Sequence, residues 1–217
     1  MSARVQTPAD RPGFRIDAVV THGTFSLDGG TWEVDNNVYV VGDDRECLVI
    51  DAAHDADAIL AAVGGREVGG IVLTHAHDDH INVAEELARR TGAPRLLHPA
   101  DRVLWDMVYE GPPEGTLADA QTLSVAGLDW HVLHTPGHSP GGVCLYAPDL
   151  GALLSGDTLF QGGPGATGRS YSSFEEIVHS IRTRLLPLPG STAVLTGHGE
   201  ATTIGAEGAL SAGWTSS

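Results

Sequence analysis

The sequence predicts an α+β fold with four layers, in which two β-sheets pack face to face and helices cover both outer faces. Three observations favour it. Short apolar runs typical of strands form two blocks along the 217-residue chain. Each block is accompanied by segments whose apolar residues recur at helical spacing, and polar residues of metal-binding type follow several strands. Because every sheet and helix must bury an apolar face, packing sheet against sheet accommodates both blocks and leaves strand ends along one edge.

The first block combines a hairpin pattern with helices and further strands. Its first two apolar runs flank a polar turn, which is typical of a hairpin, while the alternation in residues 16–27 is loose. Two of its predicted helices are followed by glycine, as helix C-termini often are. In chain order, the predicted elements are strands 38–41 and 47–50, helix 57–63, strand 71–73, a helix ending at Gly92, strand 95–97 and helix 100–108.

The second block contains short strands in quick succession, and a helix before the last of them. Ser173 and Glu176 fit a capping box at the start of this helix, and apolar residues recur along one face to about residue 186. Residues 162–169 are polar and glycine-rich, which predicts a loop. No element or function is assigned to the tail from Ala206. The predicted strands are 122–126, 128–134, 143–146, 152–155 and 193–195.

Length and charge limit the classes of function. The chain shows no internal linker, so we expect one domain over residues 1–217. A net charge of −16 repels phosphate backbones and anionic lipids, which argues against nucleic-acid and membrane partners. No stretch resembles a signal peptide or a membrane span, so a cytoplasmic location and a small-molecule partner are expected. Cys47 and Cys144 lie in apolar runs and are predicted to be buried thiols rather than a disulfide.

The strand predicted at residues 71–73 ends in a dense group of potential metal ligands, namely His75, His77, Asp79 and His80. Residues two apart in an extended chain project to the same side, so His75 and His77 can converge on one ion. Asp79 and His80 can turn toward a second ion or a bound water. Imidazole with a carboxylate suits zinc or iron. The alternative is a solvated polar turn, which this density of histidine and aspartate disfavours.

Three further strands are each followed by a single ligand-type residue beside glycine: His138, Asp157 and His198. Glycine lets the backbone approach a site closely. Each residue alone fits a turn, but seven candidate ligands at four strand ends make coincidence implausible. The histidines without this context are expected to be surface or packing residues, and they are His22, His54, His98, His131, His134 and His179.

The motifs His-x-His-x-Asp-His, Pro-Gly-His, Gly-Asp-Thr and Gly-His-Gly, in that order, resemble those of the metallo-β-lactamase superfamily, and in particular of its glyoxalase II (hydroxyacylglutathione hydrolase) branch. The resemblance runs from about residue 37 to residue 204. It implies an αββα sandwich, which agrees with the four layers above. The implied metal ligands are His75, His77 and His138 for one ion, Asp79, His80 and His198 for the other, and Asp157 as the bridge.

The resemblance further implies two divalent ions, zinc in the first instance with iron or manganese as alternatives, and a hydrolase that activates water between them. Asp79 is then also catalytic, because it orients the nucleophile. Asp51 follows its strand where the family has a carboxylate that orients a ligand imidazole, although an aspartate there can equally cap a turn. A carboxylate at Asp157 argues against a true β-lactamase.

The implied substrate is an acyl-thiol conjugate. The sequence ends soon after residue 204, without the helical extension that grips glutathione in long glyoxalase II enzymes. Arg169 and Tyr171 are therefore candidate substrate contacts, with a surface ion pair as the alternative for Arg169. All 12 basic residues are arginine, which suggests a GC-rich bacterial genome and mycothiol in place of glutathione. A persulfide dioxygenase with one iron and a lactonase remain alternatives.

Overall fold

Two β-sheets lie face to face between two helical layers in the computed structural model, which describes residues 2–9 and 11–215. One apolar core fills the space between the sheets, and it includes Tyr39, Val72 and Leu145. Two further apolar clusters join each sheet to its own helices. The predicted four-layer α+β sandwich is confirmed. Of the domain predicted over residues 1–217, the first residue, Asp10 and the last two residues lie outside the described part.

The first sheet contains seven strands in chain order, β1 (Ala3–Arg4), β2 (Arg15–Leu27), β3 (Gly30–Gly42), β4 (Glu46–Ile50), β5 (Glu67–Val72), β6 (Arg95–Leu97) and β7 (Gly115–Thr116). The pairs β1–β2, β2–β3 and β3–β4 are antiparallel. The pairs β4–β5, β5–β6 and β6–β7 are parallel. β2 and β3 form a long hairpin closed by Asp28 and Gly29, whose φ values of 54° and 78° match the tight turn that hairpin twist favours.

This hairpin was not predicted as a strand pair over its full length, and the reason is physical. Its distal half lies outside the core between the sheets, so one face is exposed and the other is only partly buried. On that partly buried face Thr21 and Gly23 precede Phe25 and Leu27, so the regular apolar alternation that identifies a half-buried strand is interrupted. The strand predicted at residues 71–73 begins earlier, at Glu67, because Val68 and Gly70 pair with β4 on either side of a bulge at Gly69.

The second sheet has the order β15-β14-β11-β10-β9-β8, and a small hairpin, β12 with β13, lies outside it. Only β11 and β14 are parallel to each other. The hairpin occupies part of the region predicted as a glycine-rich loop. The strands are β8 (Thr122–Val125), β9 (Leu128–His134), β10 (Val143–Ala147), β11 (Ala152–Gly156), β12 (Leu159–Phe160), β13 (Gly163–Pro164), β14 (Ala193–Thr196) and β15 (Thr202–Thr203).

Six α-helices complete the layers, and within the described residues none is long and apolar enough to cross a membrane. Asp55 caps α1 by accepting a hydrogen bond from Ala58 N, and Ser173 accepts one from Glu176 N at the start of α5, where a capping box was predicted. The helices are α1 (Ala56–Val63), α2 (Asp78–Ile81), α3 (Ala84–Thr91), α4 (Arg102–Trp105), α5 (Phe174–Ser180), which continues as a π-helical turn over Ile181–Leu185, and α6 (Ile204–Leu210).

One helix prediction was wrong, and one helix was not predicted. The helix predicted over residues 100–108 is a 3-10 turn, Pro99–Asp101, followed by α4, which ends at Trp105. The chain leaves the helix there because Trp105 is fully buried and its indole nitrogen donates to Gly111 O, which draws the following loop inward. α6 lies in the tail to which no element was assigned, since its glycines and alanines carry little periodic signal. Cys47 and Cys144 are buried and unpaired, as predicted.

Candidate metal centre

The seven candidate ligands lie on loops and a short helix that follow four strand ends. His75 and His77 follow β5, Asp79 and His80 lie on α2, and the remaining ligands follow β9, β11 and β14. The adjacent glycines have a steric role. A Cβ on Gly197 would lie 2.2 Å from Asp157 Oδ1, and one on Gly137 would lie 2.1 Å from a backbone nitrogen of α5. The loops that carry His138 and His198 can therefore approach their neighbours because glycine precedes the ligand in each of them.

Three imidazole nitrogens converge in the first group. His75 Nε2 lies 3.0 Å from His77 Nδ1, and His138 Nε2 lies 3.0 Å from the same His77 atom. Nitrogens bound to a tetrahedral zinc ion at about 2.05 Å stand roughly 3.3 Å apart. The spacing of the three nitrogens is therefore close to what a single divalent ion requires.

The second group has one carboxylate and two imidazoles. His80 Nε2 and His198 Nε2 are 3.2 Å apart. Asp79 Oδ2 lies 3.4 Å from His198 Nε2 and 3.6 Å from His80 Nε2. The mixed donors suit zinc, iron or manganese.

Asp157 stands between the two groups. Its Oδ2 lies 3.5 Å from His138 Nε2 and 3.3 Å from His198 Nε2, while its Oδ1 lies 3.4 Å from His80 Nε2. Oδ1 is buried and accepts no hydrogen bond from the described residues. A buried carboxylate oxygen without a donor is costly unless a cation faces it. The donor set therefore fits divalent metal.

Three of the ligand imidazoles have an acceptor at their outer nitrogen. His138 Nδ1 donates to Ala166 O at 2.8 Å and His198 Nδ1 donates to Asp35 O at 2.6 Å. His80 Nδ1 donates to Asp51 Oδ2 at 2.9 Å. Each bond places the proton on the outer nitrogen and leaves the inner lone pair available.

Asp51 contacts the candidate ligand His80, and it also holds Thr74, which directly precedes His75. Besides His80, it accepts hydrogen bonds from Thr74 N at 2.7 Å and from Thr74 Oγ1 at 2.9 Å. The cap of α1 is Asp55. Asp51 thus joins the end of β4 to the start of the ligand loop.

The two groups differ in their affinity for protons. Burial lowers the pKa of His77 to about 3 and holds that of His75 well below its ordinary value. Burial opposes charge at His198 as well, but Asp157 and Asp79 raise its pKa to about 10. In turn, His80 and His198 outweigh burial and lower the pKa of Asp79 to about 2. Protons therefore compete with a cation mainly in the second group.

A cavity of about 140 Å³ opens over both groups. Its outer wall is formed by Phe25 and Val34 of the β2–β3 hairpin and by Arg169. The Arg169 guanidinium stacks on Trp32, with Cζ 3.7 Å from the ring centroid, rather than pairing with a carboxylate in the described part of the chain. Tyr171 is 47% exposed and is not among the described residues that line the cavity.

Comparison with known proteins identifies the family. The sequence model described as the metallo-beta-lactamase superfamily matches residues 31–198. The chain belongs to the metallo-beta-lactamase superfamily. A relative from Haemophilus influenzae, hydroxyacylglutathione hydrolase GloC, is 29% identical over 181 residues, which cover 76% of this chain and 85% of that protein.

Two solved structures of the superfamily are similar over nearly their whole length. BLEG-1, a B3 metallo-beta-lactamase, is 30% identical with a TM-score of 0.71, and the match covers 86% of this chain and 95% of that one. TTHA1623, solved in a di-iron-bound form, is 28% identical with a TM-score of 0.68, covering 94% and 97%. The predicted family and fold are confirmed. The chain is accordingly a metallo-hydrolase of this superfamily, whose hydrolase relatives act on small-molecule substrates, and its clusters of histidine and aspartate suit divalent metal.

Asp101 is a buried residue beside the candidate metal centre that sequence reasoning missed. It accepts hydrogen bonds from Ala76 N at 2.8 Å, from Ser139 Oγ at 2.8 Å and from Gly141 N. It therefore ties the loop that carries His75 and His77 to the loop that carries His138. Burial raises the pKa of Asp101, although these three donors oppose the shift. An aspartate after proline at a helix start normally reflects the helix terminus, so its sequence position carried no signal.

Asn36 was also missed, and His54, which was expected to be a surface or packing residue, is half-buried. Asn36 is buried, and its Nδ2 donates to Asp79 Oδ2 at 2.9 Å. His54 contacts Asn36 from the other side. Both residues thus act on a candidate ligand through hydrogen bonds.

Proposed function

We propose that this metallo-hydrolase is a dinuclear thioesterase of the glyoxalase II type, which hydrolyses an acyl conjugate of a small thiol. The observation that carries the proposal is the position of Asp157, whose carboxylate lies within 3.5 Å of ligand nitrogens in both groups. A shared carboxylate is suited to holding two ions close together. The name of the Haemophilus influenzae relative supports a hydroxyacyl thioester as the substrate.

In this proposal His75, His77 and His138 would hold one ion, Asp79, His80 and His198 would hold the other, and Asp157 would contribute to both groups. When bound, the ions supply the Lewis acidity that activates water and polarises the thioester carbonyl. Asp79 lines the cavity, and its carboxylate is placed to accept a hydrogen bond from the attacking water and orient it. The leaving thiol ionises near neutral pH, so its departure needs no dedicated acid.

Zinc is the metal we propose, with iron or manganese as the alternatives that the same ligands accept. The thiol is glutathione or mycothiol. Phe25, Val34 and Arg169 surround the entrance on one side, so the thiol moiety would lie against an aromatic and cationic wall.

The first test combines metal analysis with a substrate panel. The purified protein is expected to contain two equivalents of divalent metal and to hydrolyse hydroxyacyl thioesters of glutathione or mycothiol, with activity lost on chelation and restored by the metal. The panel also includes the coenzyme A thioester, a lactone, a cephalosporin and glutathione persulfide. One iron per chain with oxygen uptake from the persulfide would establish a dioxygenase instead. Preferred turnover of the lactone or the cephalosporin would likewise overturn the thioesterase proposal.

Arg169 is proposed to bind a carboxylate of the substrate, because it lines the cavity and its guanidinium Cζ lies over Trp32, 3.7 Å from the ring centroid. Arg169→Ala is expected to raise KM for a carboxylate-bearing thioester about tenfold with little change in kcat, since a charge-assisted hydrogen bond contributes roughly 1.5 kcal/mol. Steady-state kinetics of the exposed Arg89→Ala variant provide the control. An unchanged KM would show that Arg169 does not bind the substrate and is a surface residue instead. Tyr171 stays a prediction, and Tyr171→Phe in the same assay tests it.

A further inference from the structure

A chain of polar side chains leads from the surface beside α2 to Asp79. The backbone N–H of His54 donates to Asn82 Oδ1 at 2.7 Å, and Asn82 Nδ2 lies 2.9 Å from His54 Nδ1. On the other side of the ring, His54 Nε2 lies 2.9 Å from Asn36 Oδ1. Asn36 Nδ2 then donates to Asp79 Oδ2 at 2.9 Å. Four residues from three separate segments are thus linked in series.

The direction of every bond in this chain is determined. The Asp79 carboxylate only accepts, so Asn36 must turn its amide nitrogen toward Asp79 and its oxygen toward His54. That oxygen also only accepts, so His54 Nε2 carries the proton. At the other end, the His54 backbone N–H requires the Asn82 oxygen, which directs the Asn82 amide nitrogen at His54 Nδ1. Nδ1 must therefore be the unprotonated acceptor, and the ring is the neutral Nε2–H tautomer.

The backbone around His54 is arranged to keep the ring in this place. His54 has a φ of 60°, in the left-handed region that residues other than glycine adopt rarely. A Cβ on Gly23 of β2 would lie 2.1 Å from His54 Nδ1, so the glycine provides the space that the ring occupies. Burial lowers the pKa of His54, which favours the neutral ring.

We propose that His54, acting through Asn36, is a positioning residue that fixes the rotation of the Asp79 carboxylate and thereby sets the metal affinity of the group formed by Asp79, His80 and His198. The proposal rests on the metal centre proposed above. With Asn36 held by His54, Oδ2 of Asp79 has a fixed donor and the carboxylate plane has one orientation. Without His54, the Asn36 amide can rotate, and Asp79 loses a constraint on the side away from the cavity.

The test measures metal binding without any substrate. Cobalt affinities are determined by competition with a chelator in the full chain, and the cobalt absorption spectrum reports the coordination of each equivalent. His54→Ala is expected to weaken the cobalt equivalent held by Asp79, His80 and His198 about tenfold, and Asn36→Ala by about 10–100-fold, which is the usual effect of losing the partner of a metal ligand. The other equivalent and the thermal unfolding midpoint should change little in His54→Ala.

Three further variants separate positioning from a general structural effect. Gly23→Ala, which removes no polar group, should reproduce the His54→Ala affinity by displacing the ring. His54→Gln, which restores an N–H donor, should recover part of the loss. The double variant Asn36→Ala/His54→Ala should bind cobalt no more weakly than Asn36→Ala, because both substitutions act along one path. His131→Ala, at a histidine in the middle of β9, is the matched control and should bind cobalt as the unaltered protein does.

Wild-type cobalt affinity in both His54→Ala and Gly23→Ala would overturn the proposal, as would an equal loss of both equivalents. Failure of the proposed function has a different signature. In that case the unaltered protein lacks thioester turnover, whereas the affinity differences among these variants are still observed.

Discussion

Asp157→Asn is expected to lower kcat for the best thioester substrate by about a thousandfold, which corresponds to about 4 kcal/mol of transition-state stabilisation. The substitution preserves the size of the side chain and removes its charge. The reason for so large an effect is that Asp157 alone lies within 3.5 Å of ligand nitrogens in both described groups. An amide cannot serve two cations in the same way, because its nitrogen is a donor.

Two measurements accompany the kinetics. Metal analysis of Asp157→Asn should show fewer than two tightly held equivalents, and circular dichroism should show the fold intact. Asp149→Asn, an exposed aspartate in the turn between β10 and β11, changes the net charge by the same amount and should retain full activity. Turnover by Asp157→Asn at the rate of Asp149→Asn would rule out the shared-carboxylate mechanism.

Asp101→Asn is expected to destabilise the protein by roughly 2–4 kcal/mol, because a buried, charge-assisted network loses its acceptor. Oδ2 accepts from Ala76 N and Ser139 Oγ, and Oδ1 accepts from Gly141 N. An asparagine can keep its oxygen on the Ala76 side, but its amide nitrogen then meets the Gly141 N–H, donor against donor. Urea unfolding of the metal-free protein measures the change, and a fall in Tm of about 5–15 °C should accompany it.

The same substitution should also weaken the first metal group, since Asp101 joins the two loops that supply His75, His77 and His138. Asp106→Asn, in the segment that follows α4, is the control, because Asp106 is half exposed and its carboxylate pairs only with Arg102. Exposed pairs of this kind contribute less than about 1 kcal/mol. Equal stability of the two variants would show that Asp101 is not a support of the ligand loops.

The candidate ligands were recognisable in the sequence because their signal is local. His75, His77, Asp79 and His80 lie within six residues directly after a strand, and His138, Asp157 and His198 each lie beside glycine after a strand of their own. The residues that orient the ligands lack such a signal. Asn36 is 43 positions from Asp79, and Asp101 is 40 positions from Gly141. These contacts arise only when the sheets have assembled, so neither spacing nor periodicity indicates them.

The fold shows the same division between local and tertiary information. Strands buried between the sheets, such as β4 and β10, were predicted because burial imposes an apolar run. The exposed half of the β2–β3 hairpin and the glycine-rich α6 were missed, since neither is under that requirement. The helix after Pro99 was predicted too long because propensity extends it, whereas burial of Trp105 ends it.

The projecting β2–β3 hairpin contacts the cavity that covers the candidate metal centre. None of the seven candidate ligands lies on it, yet it supplies Phe25 and Val34 to the cavity wall. Its tip is anchored on both sides, since Ser26 N donates to Asp78 of α2 at 3.0 Å and Asp28 accepts from Ser170 N at 2.9 Å. A substitution at the exposed Trp32 therefore acts on the cavity wall through Arg169, while Asp35 and Asn36 of the same strand keep their contacts with His198 and Asp79. A protein built in this way can acquire a new substrate through mutations in the hairpin while its hydrolytic chemistry stays unchanged.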